Sequence, residues 1–146
     1  MTTTNHAITG AFIATLIKQP FLAIPLAFLS HFVCDALPHF DVKFKFGTKG
    51  MYQYLVADSS VALLVAAFLL WQGVEKPVFL AICGFAAMSP DLFWLYYGVR
   101  GKLGKYELYG PIARIHHKIQ WSATKWGIIP ELIWGGLLVT LILKLQ

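Results

Sequence analysis

Charge is scarce in this 146-residue sequence: Asp, Glu, Lys and Arg together make up 13% of it. A soluble domain carries about 25%, because its surface has to stay hydrated. A water-soluble globule, a nucleic-acid-binding domain and a disordered chain are all poor readings of such a composition. Acids are scarcer still, seven against twelve Lys and Arg. Cysteine is limited to Cys34 and Cys83, both inside apolar runs, so no disulfide framework is expected. Low-complexity tracts and long linkers are absent, which leaves a single domain over residues 1–146. The opening MTTTNHAITG has no basic stretch, and no small-residue cleavage site precedes the next apolar run. It reads as a retained helix rather than a secretory signal.

Apolar residues are plentiful: 58% of the chain is hydrophobic and 15% aromatic. The expected solvent is therefore a lipid bilayer, which a helix crosses with roughly 20 mostly apolar residues. The runs predict an all-α integral membrane protein, a bundle of about five transmembrane helices at 6–18, 20–37, 51–72, 77–99 and 126–143. An interfacial helix is expected near 111–122, where Arg114, His116, His117 and Lys118 alternate with Ile112 and Ile115. On that topology Lys43, Lys45, Lys49, Arg100, Lys102, Lys105, Arg114, Lys118 and Lys125 share one side of the membrane. Lys18, Lys76 and Lys144 take the other, so the richer side is cytoplasmic and the membrane a prokaryotic inner membrane. Trp71, Trp94, Tyr96, Tyr97, Trp121 and Trp126 fall near helix ends, as an interfacial aromatic belt does. Gly10 and Ala14 form a small-xxx-small pair that lets two helices approach closely.

Ionisable groups in apolar segments are costly, and they usually face a protein interior and mark a site. Asp35, Asp58, Asp91 and Glu131 lie in such segments, and His6, His31, His39, His116 and His117 lie at or near segment ends. The predicted topology puts all of them in the cytoplasmic half. The densest cluster is SHFVCDALPHFD, residues 30–41. His31 and Asp35 are four apart, so one helix face carries both, and imidazole with carboxylate suits Zn, Mn or Fe. His39 follows Pro38, which ends the helix, so it is expected to reach back from a terminal turn. Asp58 is either a ligand, a group supporting one, or a polar helix contact satisfied by Ser59 and Ser60. Glu131, just after Pro130, is better explained by the dipole at a helix start. Asp41, beside His39, reads as a ligand, a base or a solvated loop residue.

These elements resemble the YdjM-like membrane-bound, metal-dependent hydrolases. The early histidine is His6 in NHAITGAFIA, the Pro-Asp element is Pro90-Asp91 in AAMSPDLFW, and the His-rich element lies in PIARIHHKIQWS. Within HHKIQWS, His116 matches the family's first His and Ser122 its final Ser. His117 and Trp121 stand where Arg and a second His are usual. The family is in turn distantly similar to zinc-dependent phospholipase C and related nucleases, which are helical and bind metal through His and Asp. The resemblance implies hydrolysis of a phosphoester in a lipid or lipid-linked substrate, with a divalent metal, Zn before Mn or Fe. Candidate ligands are His6, His31, Asp35, His39, Asp91, His116 and His117, and candidate catalytic groups are Asp41, Asp58 and Arg114. Arg114 and Lys118, one helical turn apart, are candidates to hold the phosphate. A non-catalytic subunit of a membrane complex whose histidines bind haem or pigment is the alternative, as is a proton carrier using Asp58, Asp91 and Glu131. A homo-oligomer is compatible with either.

Overall fold

Seven α-helices and a two-residue strand pair make up the described part of the protein. The structure, a computed structural model, describes residues 1–42, 47–99 and 111–146. Lys43, Lys45, Arg100, Lys102, Lys105 and the side chains of Trp94, Tyr97 and His117 lie outside the described set.

The first helix, α1 (Thr3–Leu16), begins three residues before the predicted span, because Thr2 caps it by accepting from the Asn5 amide. It is followed by α2 (Pro20–Ala36), which has Pro20 in its first turn and is capped by Gln19. The short strand β1 (His39–Phe40) comes next, and then α3 (Lys49–Trp71). Gly73, at φ +73°, turns the chain towards α4 (Pro77–Met88). Helix α5 spans Asp91–Val99, and α6 (Pro111–Ile119) runs into a single 3₁₀ turn at Gln120–Ser122. Strand β2 (Ala123–Thr124) leads into α7 (Ile128–Leu145). The two strands are parallel, with His39 opposite Ala123 and Phe40 opposite Thr124. That pairing ties the segment after α2 to the approach to α7.

Helix α1 is the central element, packed on α4, α2, α7 and α3. It has no outward polar face, and Ile8, Thr9, Gly10, Ala11 and Ala14 are all buried. Small residues predominate where the helices meet, among them Ala23, Ala27, Cys83 and Ala87, so the backbones come close. The small pair singled out in the sequence lies at this contact: Gly10 faces the Cys83 carbonyl and Ala14 is 3% exposed.

The arrangement of five spans needs correction. Among the described residues, two helices are long and apolar enough to cross a membrane, Lys49–Trp71 and Lys125–Leu145. Apolar composition continues through residues 77–99, but the helix does not. Proline has no N–H to donate and disfavours helical geometry in the residue before it. The chain turns at Ser89-Pro90, leaving a 12-residue α4 and a 9-residue α5. Helix α1 has 14 residues and α2 has 17, roughly 21 and 26 Å at 1.5 Å each.

Candidate metal centre

Five ionisable side chains from four helices converge: three imidazoles meet on the Asp35 carboxylate, and Asp91 faces two of them. Asp35 and His31 share a face of α2, with His31 Nε2 3.2 Å from Asp35 Oδ2. His6, early in α1, brings its Nε2 to 3.1 Å from Asp35 Oδ1. Its ring stacks on His31, with centroids 3.9 Å apart and planes 19° apart. From α6, His116 Nε2 lies 2.9 Å from Asp35 Oδ2 and 3.1 Å from His31 Nε2. Asp91 opens α5, its Oδ1 3.7 Å from His31 Nε2 and 3.6 Å from His116 Nε2.

The break at Ser89-Pro90 contributes twice to this geometry. It starts a new helix with Asp91 in the first turn. It also leaves the carbonyls of the last turn of α4 without partners further along that helix. Ala87 carries one of them, and His31 Nδ1 donates to its oxygen at 2.8 Å. This bond puts the ring proton of neutral His31 on Nδ1, so the Nε2 lone pair faces the cluster.

The donor set suits a divalent cation. Two carboxylates and three imidazoles supply oxygen and nitrogen, the ligands that Zn, Mn and Fe take. Two overlapping groups, His6/His31/Asp91 and His31/Asp35/His116, each gather their donor atoms to within 4.8 Å of one another. His6 Nδ1 is buried and finds no hydrogen-bond partner among the described residues. A buried polar atom left without a partner is costly, and here it belongs to a side chain of the cluster. Asp35 also draws a cationic group of the protein itself: the α-amino group of Met1 donates to Oδ1 at 2.6 Å. The edge formed by Asp91 and His116, with side chains 35% and 14% exposed, is the open one.

The other candidates lie elsewhere. His39 is buried in β1, where its Nδ1 donates to the Leu37 carbonyl at 2.8 Å; it does not reach back to the cluster. Pro38 had suggested a terminal turn, but the chain continues as a strand. The Asp41 amide donates to the Thr124 carbonyl, extending the strand pairing. Arg114 and Lys118 are both exposed. Each is two residues from His116, about 200° around the helix, so they share a face that His116 does not. His117 adds nothing to this account, its side chain being outside the described residues.

Asp58 and Glu131 both meet the start of α1. Asp58 accepts from the Thr3 amide at 2.8 Å, the Thr4 amide at 3.2 Å and Thr4 Oγ1 at 2.6 Å. Glu131 accepts from Thr2 Oγ1 at 2.5 Å, Asn5 Nδ2 at 2.8 Å and the Phe40 amide at 2.8 Å. Free N–H groups and the positive end of the dipole favour anions at a helix start, and the helix served here is α1. Replacing Asp58 with alanine should lower stability by about 1–3 kcal/mol, since it orphans the buried Thr4 amide and the part-buried Thr3 amide. Thermal unfolding in detergent checks this; an unchanged melt would mean that Asp58 does not anchor the start of α1.

Gln120 is the site residue that the sequence reading missed. Its Nε2 lies 3.4 Å from Asp35 Oδ2 and 3.3 Å from His116 Nε2. Its position four residues after His116 is the signal that was available.

No family model, curated protein or solved structure matches this chain.

Proposed function

We propose that the protein is an integral-membrane, metal-dependent hydrolase acting on a phosphoester in a lipid or lipid-linked substrate. The observation that carries this reading is the convergence of His6, His31, Asp35, Asp91 and His116 from four helices. The resemblance to YdjM-like hydrolases, on His6, Pro90-Asp91 and the element around His116, supports the same chemistry. Membrane residence is supported by α3, whose most apolar window is 6% buried within the protein, and by α7. Val56, Leu63, Leu64 and Trp71 face outward from α3, where lipid would receive them.

Helix α3 starts at Lys49, and Lys125 precedes α7. Both helices bring an acid of their N-terminal half, Asp58 or Glu131, to the start of α1. The centre thus belongs to the end where these basic residues lie, which the positive-inside rule makes cytoplasmic in a prokaryotic inner membrane. At headgroup depth such a site meets lipid phosphates.

His6, His31, Asp35, Asp91 and His116 would hold the cation. When bound, a divalent ion acidifies a water and offsets charge on phosphoryl oxygens. Asp91, on the open edge, is placed to accept a proton from an incoming water. The Gln120 amide is placed to donate to a substrate oxygen.

The test is release of phosphate or headgroup from p-nitrophenyl phosphoesters and phospholipid vesicles by the detergent-purified chain. Activity should vanish with chelator, return with zinc or manganese, and fall by about a hundredfold or more in His31→Ala. A metal-loaded protein that cleaves none of these esters would sink the hydrolase reading. An absorption band of haem or chlorophyll type would favour the non-catalytic subunit.

A further inference from the structure

We infer that the two overlapping ligand groups form a single mononuclear centre, which takes one divalent ion per chain. This inference rests on the metal reading above, and it fixes the number of ions that the reading leaves open. His31 is common to both groups. A ligating histidine binds through a ring nitrogen that carries no proton, and two ions could share His31 only if both its nitrogens were free. One is not free. Nδ1 donates to the backbone carbonyl of Ala87 at 2.8 Å, and a carbonyl oxygen can only accept. Nε2 is the remaining donor atom, so whichever group binds an ion takes His31 from the other.

Two further observations agree. Asp35 Oδ2 lies 2.9 Å from His116 Nε2 and 3.2 Å from His31 Nε2, and those two nitrogens are 3.1 Å apart. Asp91 Oδ1 lies at nearly equal distances, 3.7 and 3.6 Å, from the same two nitrogens. Both carboxylates therefore flank the same pair of imidazoles, His31 and His116, as the ligands of one ion would.

A single ion narrows the chemistry to one Lewis acid assisted by protein groups. Asp91, at the open edge, and Gln120, beside His116, then take the parts that a second metal would play in a two-metal site.

The experiment is a metal titration of the chelator-stripped, detergent-purified full chain with zinc chloride and, in parallel, manganese chloride. Bound metal after gel filtration is measured by elemental mass spectrometry for the wild type, Asp91→Asn and Asp35→Asn, with helicity checked by circular dichroism. The wild type should saturate at one ion per chain. Each variant should show the same single isotherm weakened by about tenfold or more, since losing even an outer partner of a ligand costs that much. Saturation at two ions, with either variant keeping one, overturns the mononuclear centre and leaves the metal reading standing. Failure of the wild type to bind either ion overturns both. Because Asp91 is partly exposed, its variant remains informative if Asp35→Asn fails to fold, and wild-type binding in Asp91→Asn removes Asp91 from the centre and overturns its five-donor form.

Discussion

The Asp35→Asn substitution is expected to weaken metal binding by about tenfold or more and to lower the stability of the stripped protein by about 3 kcal/mol. Asp35 is 1% exposed, and both of its oxygens are in use. Oδ1 takes the Met1 α-amino group at 2.6 Å and His6 at 3.1 Å, and Oδ2 takes His116 at 2.9 Å. An amide has the same shape but no charge, and one end of it donates. It would therefore set an N–H against a donor and leave a buried ammonium without its counter-charge. Removing one partner of such a buried pair costs far more than the pair contributes over an apolar replacement. Elemental analysis and thermal unfolding in detergent measure the two effects separately. Asp91→Asn should weaken binding while barely shifting the melt, because its side chain is partly exposed. Full metal retention and an unchanged melt in Asp35→Asn would remove Asp35 from the centre.

The second large effect concerns the fold. Gly10→Ala should destabilise the protein by about 3 kcal/mol, as overpacking of a close contact does. A Cβ at Gly10 would run into the Cys83 carbonyl and crowd Ala87, and backbone atoms of α4 cannot swing aside as a flexible side chain would. Gly84→Ala should cost less, because its added atom would sit 3.0 Å from the Ala7 carbonyl oxygen, a distance that a small shift relieves. Gly136→Ala should be neutral or slightly stabilising, since nothing lies within 4 Å of the new methyl and alanine favours helix. Melting temperatures of the three variants should follow that order. If Gly10→Ala melts with Gly136→Ala, the close contact between α1 and α4 is wrong.

What could be read in the sequence was what depends on short spacing. His31 and Asp35 are four apart on a helix, so their shared face needed no tertiary information. Hydrophobic runs located α2, α3 and α7 to within a few residues, and Gly10 with Ala14 marked a close contact. Partners far along the chain were not legible. Asp58 was weighed against its neighbours Ser59 and Ser60, but its hydrogen bonds go to Thr3 and Thr4, and Ser60 Oγ instead donates to Val56 within its own helix. Glu131 does lie in the first turn of α7, as read, but its hydrogen bonds to Thr2 and Asn5 at the start of α1 were not legible. The turn at Ser89-Pro90 was visible as a proline yet passed over, because apolar composition runs through it. That turn brings Asp91, already a candidate from the sequence, and the Ala87 carbonyl to the centre, and of the two only the carbonyl went unread.

The central place of α1 has a consequence for how the protein is made. It leaves the ribosome before every helix that surrounds it, and its contacts with α7 join residues more than a hundred positions apart, such as Asn5 and Glu131. Until synthesis has passed residue 131, Thr2 and Asn5 lack their acceptor and the polar start of α1 is only partly satisfied. Until α7 arrives, the packing open to α1 is that against α2, α3 and α4. Chains stopped short of α7 should stay protease-sensitive around α1 even with His6, His31, Asp35, Asp91 and His116 already synthesised.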